Sequence, residues 1–229
     1  MTGPASVRVL GVDACPTGWV GVELHDGVFL RAVLTRSLFE MVAASSGVAV
    51  IGTDIPLGLL AQGWRAADAA AAARLGPLRG TVFPVAPRPV WQETEFAAAN
   101  RRCRELTGSG LSRQSWALRA KLLEANAIWD RHPGLLFEVH PEVSFATMSG
   151  GPLSYPKKSW TGQAQRQALL AAHGVVVPAT LGPAGEAPPE DVLDAAAVAW
   201  SAHRIATGKA GSHPDPPEES RGSPVAIWY

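Results

Sequence analysis

A chain of 229 residues, 47% hydrophobic and 17% charged, holds enough apolar content for one sizeable core, which excludes a wholly disordered polymer. Lys plus Arg and Asp plus Glu are balanced at 20 each, against the strongly basic composition of a protein whose main task is gripping long nucleic acid. Apolar runs fall short of the ~20 residues of a membrane span, no secretory signal is legible, and Cys15 and Cys103 lack metal-site spacing, so a cytoplasmic single domain over 1–229 is expected, without membrane contact.

Residues 7–12 form a β-branched apolar run ending at Asp13; Pro16, Thr17 and Gly18 turn the chain, and residues 19–24 alternate as a second strand. His25, Asp26 and Gly27 make a hairpin turn into a third strand at 28–34. Ser37 has the side-chain oxygen to cap a helix through Phe39, Met41, Val42 and Ala43. A fully apolar strand at 48–52 then ends in Thr53 and Asp54. Three strands in a meander, followed by a helical crossover to a buried strand, imply an α/β fold with a mixed sheet whose first strand is central.

Residues 66–75 are alanine-rich and helical, 81–90 hold too much proline for regular structure, and 94–106 read as another helix. Ser112 opens one long helix through Trp116, Leu118, Leu122, Ala125 and Trp129, stopped by Pro133 and Gly134. These segments form a helical insertion at about 60–133. Between 65 and 131 eleven Arg and Lys face six Asp and Glu, so Arg65, Arg88 and Arg113 are candidates to hold a phosphate-bearing substrate, although a solvated surface accounts for the same charges. Phe83, Trp91 and Trp116 are better assigned to packing than to base stacking.

A fifth strand is expected at 135–139, completing a five-stranded sheet flanked by helices. A loop carrying Lys157 and Lys158 follows, then a helix at 163–173, a short extended segment at 175–177 and a Gly- and Pro-rich connector at 182–189. The last helix, 190–207, has proline at its start and Gly208 beyond its end. The tail at 211–224 reads as irregular, and 225–229 is apolar enough to dock on the body.

Asp13, Asp54 and Glu138 each end an expected strand, the edge where open α/β sheets place their sites. Asp191 and Asp194, three apart, share one face of the last helix. Carboxylates gathered from these segments raise one another's pKa unless a cation relieves them, and oxygen-only donors favour Mg²⁺ or Mn²⁺ over zinc. Each acid also has a plain structural role open to it: Asp13 and Asp54 in turns, Asp191 and Asp194 in the first turns of a helix.

The arrangement resembles the RNase H-like superfamily, and the Holliday-junction resolvases within it, through Gly11-Val12-Asp13, Thr53-Asp54-Ile55-Pro56 and Asp191-Val192-Leu193-Asp194-Ala195-Ala196. It is most similar to the family termed domain of unknown function 429, expected to comprise RNase H-like nucleases. That likeness runs on through Val82-Phe83-Pro84, Leu111-Ser112-Arg113-Gln114-Ser115-Trp116, Glu138-Val139-His140-Pro141-Glu142 and Lys157-Lys158.

The resemblance implies an RNase H-like sheet and a metal-dependent nuclease or phosphodiesterase acting on nucleic acid or a smaller phosphate ester. Asp13 would bridge the metals, Asp54 and Asp194 would complete the shell, and Glu138 or Asp191 would be a further ligand or general base. Lys157 or Lys158 would offset charge on the phosphate. Glu142 ranks behind Glu138, although a one-residue shift of the strand exchanges their faces, and His140 is more readily a turn residue than a catalyst. Two other readings compete: an actin-like or sugar-kinase-like nucleotide-binding protein, which Thr17 and Gly18 fit loosely, and a non-catalytic scaffold of the same fold.

Overall fold

The computed structural model describes residues 6–229. Strands β1 (Arg8–Cys15), β2 (Gly18–His25) and β3 (Val28–Thr35) form the meander, and α1 (Leu38–Ala44) crosses to β4 (Val50–Thr53). The helices α2 (Ala66–Leu75), α3 (Arg88–Gln92), α4 (Phe96–Thr107), α5 (Arg113–Ala117) and α6 (Arg119–Arg131) precede β5 (Leu136–Glu138). Then come α7 (Pro141–Ser149), α8 (Trp160–Ala172), α9 (Pro189–Ala206) and a hairpin of β6 (Ser212–Ser220) and β7 (Ser223–Trp228). The main sheet has the order β3-β2-β1-β4-β5, antiparallel across the meander and parallel from β1 through β4 to β5. This is the expected mixed five-stranded sheet flanked by helices, with β1 central.

Alternation along the strands sorts the core into two layers. Leu10 and Val12 of β1, Ile51 of β4 and Leu136 of β5 pack on one face with Leu122, Ala125 and Ile128 of α6. Val9, Val50 and Phe137 meet α9 on the other. Gly11 and Gly52, register partners in β1 and β4, lie beneath α9. A Cβ at Gly11 would overlap the Ala199 amide nitrogen and the Ala195 carbonyl oxygen, and one at Gly52 would come 2.8 Å from Val198 Cγ1. Backbone thus lies almost on backbone, which the alanine run at 195–197 and Ala199 permits.

Ser37 caps α1 by accepting from the Glu40 amide at 3.1 Å. Ser112 accepts from the Ser115 amide at 2.9 Å, but its helix stops after Ala117 and restarts as α6, so the single long helix expected there is two. The stretch after His140, expected to be a loop, is α7: Pro141 occupies its first turn, Glu142 follows where an anion is favoured, and Gly150 closes it in a left-handed conformation. No strand forms at 175–177, although Val175 is buried.

The tail expected to be irregular is strand β6, despite Pro214, Pro216 and Pro217. Those prolines fall where the β6–β7 pairing shifts register between His213 and Glu218, so missing N–H groups cost little in a two-stranded ribbon. Val225 and Ile227 of β7 are buried, the docking expected of that segment. Among the described residues no helix is long and apolar enough to cross a membrane.

Candidate functional site

The parallel pairing of Val12 with Thr53 continues one residue further, where the Asp54 amide donates to the Val12 carbonyl at 3.0 Å. Asp13 and Asp54 therefore follow Gly11 and Gly52 by two positions and point to the same face, the one covered by α9. The close seating of α9 then brings Asp194, the residue before its alanine run, against them. Asp13 is 6% exposed and Asp194 1%. Three elements distant in sequence deliver Asp13, Asp54 and Asp194 to one edge, with Asp191 on the wall of the same cleft.

Little in the protein offsets their charge. Lys157, from the loop before α8, donates to Asp194 Oδ2 at 2.5 Å, while Asp194 Oδ1 is buried with no partner. Asp13 Oδ1 accepts the amide of Ala14 at 2.7 Å. Burial, then repulsion from Asp54, Asp194 and Asp191, pushes the Asp13 carboxyl well above the ordinary range. Burial raises Asp54 to about 7; Lys157 opposes the rise, and Glu142 and Asp191 reinforce it. Asp194 is raised by burial to about 6 despite its bond to Lys157. Burial opposes the charge of Lys157, but Asp194, with Asp13 and Asp54 behind it, holds the ammonium protonated.

Glu138 does not join this group. It pairs in register with Thr53, not Asp54, so the same alternation turns it to the opposite face. There Arg65 binds it in a two-pronged pair, Nη1 to Oε2 at 2.7 Å and Nη2 to Oε1 at 2.9 Å, and the Leu57 amide donates to Oε2 at 2.8 Å. Arg65, expected to meet substrate, is 2% exposed and spends all its N–H groups on Glu138, Asp68 and the Leu57 carbonyl. Glu138 and Arg65 still line part of the cleft that holds Asp13 and Asp54, but as its structural wall.

Glu142, ranked behind Glu138, acts on the cluster where Glu138 does not: its charge raises both Asp54 and Asp194. Its Oε1 accepts from Arg166 of α8 at 2.6 Å, and its Oε2 is buried without a partner. Arg166 had no sequence signal beyond lying on a helix, because which face of α8 is buried depends on where α7 sits. Of the other basic candidates, Arg88 pairs with Asp130 at 3.1 Å and Arg113 lies 4.6 Å from the centre of the Phe96 ring. Lys158 is largely exposed, 3.8 Å from Glu190. None of these three lines the cleft at the carboxylates. Trp91 is fully buried and stacks on Trp116, the packing role expected.

The cleft has two lobes, of ≈ 300 Å³ and ≈ 520 Å³, and Asp54, Thr81, Gln114, His140 and Lys157 line both. Burial lowers the His140 pKa, and its Nε2 lies 3.3 Å from the Thr81 carbonyl, so the ring is a neutral part of the wall. Gln114 stands in the Leu111–Trp116 motif, but its place at the junction of the lobes depends on the break between α5 and α6.

Among the described residues no group of three or more His, Cys, Asp or Glu side chains is already arranged to hold a metal ion. The donor chemistry nevertheless fits a hard cation: every acid here is an oxygen donor, and Asp194 Oδ1 and Glu142 Oε2 are buried with bonding capacity to spare.

Fold and site together define an α/β protein with an incompletely paired carboxylate centre at the edge of a mixed sheet. The chain belongs to the family described as Protein of unknown function (DUF429), whose model matches residues 11–219, a span containing every carboxylate of the centre. No curated protein and no solved structure matches the chain.

Proposed function

We propose that this protein is a metal-dependent phosphodiester hydrolase of the RNase H-like kind, acting on nucleic acid or a smaller phosphate ester. One observation carries the reading: Asp13, Asp54 and Asp194 converge from β1, β4 and α9 into a cleft where, among the described residues, Lys157 is the one lysine hydrogen-bonded to any of them, with Lys121 a further charge near Asp13. Burying like charges is costly, and a cluster without structural pairing is a signature of a working site.

Asp13, Asp54 and Asp194 would hold Mg²⁺ or Mn²⁺, with Asp191 on the cleft wall as a further ligand or proton acceptor. A bound divalent ion would supply charge to the phosphate oxygens and make water a stronger nucleophile at neutral pH. Lys157, on its flexible stem, can leave Asp194 to hold a non-bridging phosphate oxygen. Glu142, fixed by Arg166, keeps the field in the cleft negative.

The test is cleavage of a panel of single-stranded, duplex and branched nucleic acids and small phosphodiesters with Mg²⁺ or Mn²⁺, alongside calorimetric titration with Mn²⁺. The wild type should cleave at least one substrate, and Asp13→Asn should lose about a hundredfold or more of that activity and bind Mn²⁺ more weakly. Equal cleavage by both proteins would mean a contaminating nuclease and sink the proposal.

A further inference from the structure

The larger lobe of the cleft is unlike the smaller one. Beyond the wall it shares through Gln114 and Lys157, it is bounded by Leu78, Leu153, Tyr155 and Pro156, and by the charged side chains of Glu142, Asp194 and Arg166. Its ≈ 520 Å³ falls within the ~300–1,000 Å³ typical of small-molecule sites, which are apolar with a few placed polar groups. Tyr155 keeps half its surface exposed although it is a large aromatic on a confined wall.

The backbone that carries this ring is held in place. Arg166, 2% exposed, donates to the Tyr155 carbonyl at 3.1 Å and to the Gly162 carbonyl at 3.2 Å while it grips Glu142. The Pro156 carbonyl accepts from the Ser159 amide at 3.0 Å and from the Ser159 hydroxyl at 2.8 Å. The loop between Tyr155 and Ser159 is therefore a fixed turn that sets an aromatic face and the Lys157 ammonium two residues apart, about 7 Å of backbone at most.

We infer that the larger lobe is a nucleoside subsite: a phosphate held near Lys157 and the carboxylates places its own base and sugar against Tyr155, with the Gln114 amide facing the base edge. The inference rests on the phosphodiester reading of the same cleft and narrows its substrate to an unpaired nucleotide unit, supplied as a free nucleotide or as a single-stranded end. Asp13 and Asp194 lie at the bottom, 6% and 1% exposed, so the reacting phosphate must enter the cleft with its sugar. A base still paired in a duplex would have to leave its stack first, at an energetic cost an unpaired base avoids. A stacked ring and an amide recognise a base without much sequence demand.

The test is calorimetric binding to the full chain, with and without Mn²⁺, of a nucleoside monophosphate, ribose 5-phosphate, an unpaired oligonucleotide and a blunt hairpin duplex. The nucleotide and the unpaired strand should bind at least about fivefold more tightly than ribose phosphate, the lower end of what one stacked base contributes. The duplex should bind no better than ribose phosphate. Tyr155→Ala should erase the preference for a base and Tyr155→Phe should keep it. Trp160→Ala, which removes an aromatic that is 86% exposed and outside the lobe, should change nothing. Equal affinity for nucleotide and ribose phosphate, an equally tight duplex, or equal losses from Tyr155→Ala and Trp160→Ala would each overturn the inference. Base-dependent binding without cleavage would leave the subsite standing and remove the hydrolase; cleavage without base preference would do the reverse.

Discussion

Two groups of buried carboxylates flank the C-terminal edge of one sheet and are treated in opposite ways. Under one face, Glu138 and Asp68 share Arg65, and backbone amides complete them: Leu57 donates to Glu138 and Val85 to Asp68, each at 2.8 Å. Under the other, Asp13, Asp54 and Asp194 share Lys157, and Asp194 keeps a buried oxygen without a partner. Glu138 and Asp68 are buried to the same degree as Asp13 and Asp194, with Asp54 half-buried at the rim, so desolvation does not separate the two groups; completeness of hydrogen bonding does. A satisfied ion network is a piece of scaffold, whereas charge left over inside a cleft is capacity held for something that comes and goes.

The largest expected effect breaks the scaffold side. Arg65→Met leaves Glu138 and Asp68 buried without their cation, and losing one partner of a buried pair costs about 3–5 kcal/mol. Urea denaturation at pH 7.5 should show that loss, while Asp13→Asn, which removes one of several repelling charges, should be at least as stable as the wild type. A cost below about 1 kcal/mol for Arg65→Met would erase the distinction.

The next effect is smaller and depends on pH. With its carboxyl raised to about 7 by burial, Asp54 binds a proton more tightly in the folded protein than in the unfolded chain, whose carboxyl titrates near 3.8. Folding therefore opposes ionisation: the stability penalty grows as pH rises from about 4 to about 7 and is level above. In metal-free buffer Asp54→Asn should escape that penalty and exceed the wild type by about 1–3 kcal/mol at pH 8, less the lower the pH. His140, whose pKa burial lowers, works in the opposite direction but is common to both proteins and cancels in the difference. A gap that does not change between pH 5 and pH 8 would mean the Asp54 carboxyl is not held in a charge-repelling site.

What the sequence made legible divides along the same line. Strand ends are marked by where apolar runs stop, so Asp13 and Asp54 stood out, whereas the close seating of the alanine run of α9 over Gly11 and Gly52, which brings Asp194 to them, appeared only in the structure. Facing is decided by a single residue of register: Glu138 pairs with Thr53, and one step further along it would have stood beside Asp54. Residues from Leu135 to Val139 do not encode that step, because neither face of a strand buried on both sides is marked by polarity. The partners that separate scaffold from site, Arg65 and Arg166, were equally hidden. An arginine bound for burial looks like any surface arginine until the carboxylate it meets is known.

Lys157 and Lys158 sharpen the comparison at its lower limit, since adjacent residues of one type differ in exposure, 38% against 78% of the side chain, and in partner. Lys157 reaches into the cleft and meets Asp194, whereas Lys158 keeps 78% of its side chain exposed with only Glu190 at 3.8 Å. An ion pair in water gains little after screening and side-chain entropy are counted, so Lys158→Ala should shift stability by at most about 0.5 kcal/mol. Hydrolysis of whichever phosphodiester proves to be a substrate should survive it within about threefold, because a screened charge outside the cleft contributes mainly to encounter. Lys157→Ala is the matched variant and should lower the rate at saturating substrate, the sign that its ammonium acts inside the cleft after binding. If the two lysines proved interchangeable in this assay, the ammonium beside Asp194 would have no more part in the chemistry than one in open solvent.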